Sequence, residues 1–236
     1  MNMKKIKMAV LWSLLFVGLT LYNTYLYRNN SNSAESVLEL SSILAFQTGY
    51  NNIMLHFTVF PYIVTIILSR ELLDKNNEII IRYGRDEYVA RHYLAAIKNS
   101  VYFSIVFSGV LYFGAYSHSS KRLWLEMKFY HPMMLNFIAL IITYMLMTFI
   151  FITFYLKIYK VGIALCISAG IYTGFWFLLR FFRINYIYRN VSVLNRFYRG
   201  TLEVKAYGNN MVLQLLIIIV LFYIGRKIFK KKDIFL

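Results

Sequence analysis

Six apolar stretches constrain this chain more than anything else in it. They are Met8–Leu26, Ile53–Leu68, Ser100–Tyr116, Met133–Tyr155, Val161–Leu179 and Met211–Ile224. A bilayer core needs about 20 apolar residues per helix, so each stretch qualifies as a membrane span or nearly does. The second and sixth are short, so their polar flanks are expected to enter the interface. The first follows Lys4, Lys5 and Lys7 but is long for a signal peptide and lacks a small-residue cleavage site after it, so it reads as an uncleaved first span. The expectation is an all-α membrane protein forming one domain over 1–236.

Composition supports this. Of the residues 59% are hydrophobic and only 15% charged, against about 25% charged in average globular proteins. The net charge of +16 would point to nucleic acid on a soluble protein. Here the cations cluster at the ends of apolar runs, where anionic lipid and the positive-inside bias account for them. No basic-aromatic groove on a soluble domain is visible, so nucleic-acid binding is rejected.

Orientation follows from Lys and Arg. Six spans with both termini cytoplasmic put 16 of them inside and 10 outside. If Val161–Leu179 dipped in and returned, the split would be 17 to 9, so charge alone does not decide. The apolar length of that segment favours a crossing.

The spans carry no Asp or Glu, and His56 is the one His well inside a span, more readily a packing residue than a proton relay. Ion-coupled carriers usually need intramembrane carboxylates or broken helices. Gly170 and Gly174 form a G-x-x-x-G, and Gly109 and Gly114 lie in the third span; such residues suit close helix contacts. The single cysteine, Cys166, excludes an internal disulfide and reads as a buried, inert thiol.

After the fifth span, Arg180, Arg183, Arg189, Arg196 and Arg199 alternate with large aromatics such as Phe182, Tyr186 and Phe197. Such mixtures belong at the headgroup level. They suit an anchoring belt, or an outer lip that handles an amphipathic or anionic cargo.

The charged stretch from Arg70 to Lys98 is where a greasy chain can meet a soluble partner. Glu71, Asp74 and Glu78 recur at helical spacing, and Leu72, Ile79, Ile80 and Ile81 supply an apolar face. Gly84 is a natural helix break. Asp86 and Glu87 favour the positive end of a new helix, Glu87 and Arg91 are spaced for an ion pair, and Tyr88, His92 and Tyr93 form a stripe. These features predict a short helix, a break and an elbow helix under the membrane leading into span three.

Glu71, then Glu78-Ile-Ile-Ile-Arg82, then Gly84-Arg85, together with the six-span layout, resembles the ABC-2 type permease family, the membrane subunits of ATP-driven exporters. The resemblance implies a coupling helix near Asn76–Tyr83. Glu71, Asp74, Lys75, Glu78, Ile80, Ile81, Arg82, Tyr83, Gly84 and Arg85 would then engage an ABC ATPase subunit. The family turn often carries Pro, where this chain has Tyr83-Gly84. The resemblance also implies outer re-entrant helices between spans five and six, two ATPase subunits holding ATP and Mg, and a second permease half, identical or a sister. The small size and Tyr/Phe/Ile/Lys-rich usage look like permeases of Gram-positive bacteria that export peptides or toxins or give immunity to them.

No phosphate loop of the G-x-x-x-x-G-K-[ST] kind and no H-E-x-x-H is present, so no cofactor is expected in the chain and hydrolysis is assigned to a separate subunit. An intramembrane enzyme would need a Glu pair or an Asp-rich motif in a span, and neither exists. A stand-alone membrane immunity or scaffold protein is the remaining alternative.

Overall fold

A computed structural model describes residues 10, 13–14, 16–18, 20–21, 77–117, 130–181 and 193–231. All regular structure among them is helical. The second apolar stretch, with His56, and Glu71, Asp74 and Lys75 lie outside the described residues. The described part of the first stretch is helical, and Leu14 and Leu21 point outward.

Five further helices follow: α1 (Asn77–Ser117), α2 (Tyr130–Ile158), α3 (Val161–Phe181), α4 (Val193–Tyr198) and α5 (Val204–Lys230). Three are long and apolar enough to cross a membrane, over Gly84–Gly114, His131–Ile158 and Val204–Lys230. The sixth stretch is short only as an apolar run: its helix extends seven residues before Met211 and six beyond Ile224, because Lys, Asn and Arg continue a helix as well as they face water.

The core lies where α2 meets α1 and α5. On α1, Tyr88, His92, Ala96, Ser100, Phe103 and Phe107 recur every three or four positions and are buried, which is one helix face. On α5, Met211, Gln214, Ile218, Gly225 and Phe229 are buried at spacings of three, four and seven, again one helix face. The Ser100 and Thr148 hydroxyls lie 3.3 Å apart, Phe103 packs edge-on to Tyr144 at 4.7 Å, and Asn136 donates to the Tyr112 hydroxyl at 2.8 Å. These contacts make α1 antiparallel to α2. Tyr207 donates to the Leu135 carbonyl at 2.7 Å and Phe229 reaches Tyr159 at the other end, so α5 runs parallel to α2. The segment from α3 to α4 therefore carries the chain back to the end where α2 began.

The α2–α3 turn is made by Tyr159, whose φ of 57° is left-handed and ends α2 with its N–H on the Tyr155 carbonyl at 2.8 Å. After α4, Gly200 at φ 66° closes the helix. Its N–H meets the Phe197 carbonyl and the Thr201 N–H meets the Arg196 carbonyl, the two-bond termination that a left-handed glycine permits.

Three expectations change. The elbow is not a separate helix: after Gly84 one helix runs to Ser117, because nothing between Arg85 and Ser100 interrupts the ladder. Cys166 is exposed rather than buried; among the described helices, α3 packs chiefly against α2. Gly109, Gly170 and Gly174 are not contact notches, since a Cβ on any of them would meet nothing within 4 Å.

Candidate functional site

Gly84 defines the site. Its φ of 82° and ψ of 169° lie in a region essentially reserved for glycine. The chain arrives as a short helical arm from Asn77 and leaves as the long helix that crosses the bundle. Of the residues expected to couple to an ATPase, Glu78, Ile80, Ile81, Arg82 and Tyr83 lie in this arm, while Gly84 and Arg85 form its corner.

The corner is tied to the far end of the chain. Asp86 accepts from Arg226 through both carboxylate oxygens, at 2.8 and 2.9 Å. The Lys230 ammonium lies 2.9 Å from the same carboxylate. The Arg85 guanidinium donates to the Lys230 carbonyl at 2.7 Å, one of the last carbonyls of α5 and so without a partner inside the helix. A helix of the length of Gly84–Gly114 is about 46 Å at 1.5 Å per residue, against about 30 Å of hydrocarbon, so it has more length than the apolar layer needs. One turn on, Glu87 and Arg91 pair at 3.0 Å as their spacing predicts.

Beneath the charges lies an aromatic layer. Tyr88 stacks on Phe229 at 5.1 Å and touches His92, and Tyr159 meets Phe229 edge-on. Deeper still, the Tyr93 hydroxyl joins three helices. It lies 2.9 Å from the Thr153 hydroxyl on α2 and donates to the Leu221 carbonyl on α5 at 3.2 Å. Its ring occupies the space over Gly225, where any Cβ would collide with it. Thr153 in turn donates to the Phe149 carbonyl, so the buried hydroxyls are satisfied.

Of the arginines read as an outer lip, Arg196 and Arg199 do not join this site. Arg180 falls in α3, Arg183 and Arg189 lie outside the described residues, and Arg196 and Arg199 precede α5, at the end away from Arg85. Arg196 donates to the Thr201 carbonyl at 3.1 Å and so braces its own turn. Arg199 is exposed.

The residues that sequence reasoning missed are Arg226, Lys230 and Gly225; Tyr93 was read only as part of an amphipathic stripe. Asp86 was read as a helix-start residue and serves as the ion-pair acceptor. No side-chain cluster suited to a metal occurs among the described residues. No protein-family model, curated protein or solved structure matches the chain.

Proposed function

We propose that the chain is the membrane subunit of an ATP-driven exporter, and that the arm ending at Gly84 is where a separate ATPase subunit docks. The observation that carries this reading is the break at Gly84: at a charged corner, a short helical arm is set off from a helix long enough to cross the membrane. A push on such an arm passes into α1 at Arg85 and Asp86, and from there through paired charges into α5. The route is a contiguous chain of contacts between two helices, as mechanical coupling requires. The cargo class under this reading is a peptide, toxin or amphipathic antimicrobial, in a Gram-positive cell membrane with both termini cytoplasmic. Two copies, or one copy and a sister permease, would enclose the path.

The test is affinity purification from the native host in mild detergent. An ATPase should accompany the full chain, and charge reversal at Glu78 should lower export per inserted molecule and weaken that association. A chain that purifies without an ATPase and protects cells unaided would be a stand-alone immunity protein instead.

A further inference from the structure

Tyr93 also lines an opening between α1 and α5. Between them runs a groove of about 620 Å³ floored by Met145 and Phe149 of α2. Its walls are apolar, with Leu94, Ile97, Leu215 and Ile219 among them, and Leu94 and Ile219 are about half exposed. Its mouth is polar: Glu87, Arg91 and Tyr223 line it.

Length and charge together identify what fits. From Glu87 to Ile97 the groove runs along ten residues of α1, about 15 Å at 1.5 Å per residue. That is half of a hydrocarbon core of about 30 Å, the depth of one leaflet. The mouth sits beside the ionic corner. Over 85–91 and 226–231 the chain carries six cations, among them Arg91 and Lys227, against the two carboxylates Asp86 and Glu87. A positive rim over an apolar slot one leaflet deep complements an anionic headgroup with a hydrocarbon chain below it. Tyr223, 62% exposed, stands where a phenol meets headgroups in membrane proteins.

We propose that this groove is a binding site for one acyl chain of an anionic phospholipid, whose headgroup phosphate is recognised at the mouth by Arg91. The site rests on the helices being embedded in a bilayer and not on the transport reading. Bound there, the lipid fills the cleft between α1 and α5 and presses on the same two helices that the ionic corner joins.

The full chain is reconstituted in vesicles of equal phosphatidylglycerol and phosphatidylcholine, with Ile219 replaced by a photoreactive benzophenone amino acid. Irradiation should give a lipid adduct enriched in phosphatidylglycerol by about fivefold over the vesicle ratio, the effect of one arginine at a headgroup. Arg91→Gln should bring that ratio back toward the vesicle composition while the adduct yield persists. Leu94→Trp, which fills the slot from its exposed wall, should lower the yield. An adduct to a peptide of this chain or of a second copy, or equal capture of the two lipids by the unsubstituted rim, overturns the proposal. So does an unchanged lipid ratio in Arg91→Gln.

Discussion

Tyr93 lies directly over Gly225 where α1 meets α5, and nothing in the sequence announces that pairing. Local motif reading singled out Gly109, Gly170 and Gly174, because small residues at helical spacing permit close contact. Permission is not contact: those glycines face open space, and the one that receives a neighbour is Gly225, 132 positions from the tyrosine that covers it. Cys166 misled for a related reason. An apolar neighbourhood in sequence does not separate the inside of a bundle from its lipid-facing side, since both are apolar. Gly225→Ala is therefore expected to lower thermal stability in detergent by about 1–3 kcal/mol through overpacking. Tyr93→Phe alone should cost about 0.5–1.5 kcal/mol, the usual worth of a hydrogen bond. Combined, the two should cost less than their sum, because the phenylalanine removes the hydroxyl that the new methyl group strikes. Strict additivity would show that the two residues do not share a contact.

At the level of elements, α1 is two helices that glycine geometry keeps apart. This was legible: Gly84 interrupts a run of helix-forming residues, and acidic side chains directly after it favour a fresh helix start. What was not legible is how straight α1 runs afterwards, because the buried stripe of Tyr88, His92 and Tyr93 looks, in sequence, like the face of an interfacial helix. It is buried because α5 covers it through Phe222 and Phe229. Gly84→Ala should disfavour the break and lengthen α1 toward its N-terminus. Spin labels on Asn77 and Arg91 should then report a longer, narrower distance distribution, and an unchanged one would mean the break does not depend on glycine. The ionic corner predicts a charge-exchange result. Asp86→Arg should weaken cross-linking between cysteines placed at Glu87 and Lys227, since it sets a cation against Arg226 and Lys230. Asp86→Arg with Arg226→Asp should recover part of it. Failure of the double exchange to improve on the single one would remove the corner as a link between α1 and α5.

On the scale of the molecule, the third to sixth apolar runs are helical where they are described, because hydrophobic length is a property of the sequence alone, and the second lies outside the described residues. The three long described crossings, α1, α2 and α5, coincide with the third, fourth and sixth runs. Their relative directions came only from contacts such as Tyr207 with Leu135 and Tyr93 with Thr153. Under the proposed orientation, with the arm at Gly84 cytoplasmic, the parallel course of α2 and α5 would put the α4 turn outside. In a Cys166→Ser background, a cysteine at Arg199 should label from outside intact cells, and one at Gly84 only after permeabilisation. Labelling of both from the same side would contradict the arrangement. The distance along the chain between Asp86 and its cation has a further consequence. The carboxylate precedes Arg226 by 140 positions, so a ribosome delivers it to the membrane long before its partner is synthesised. Throughout that interval the α1–α2 hairpin waits with its end unlatched. A surveillance protease that reads this loose end would recognise chains whose synthesis stalled before α5, and would spare those that had closed.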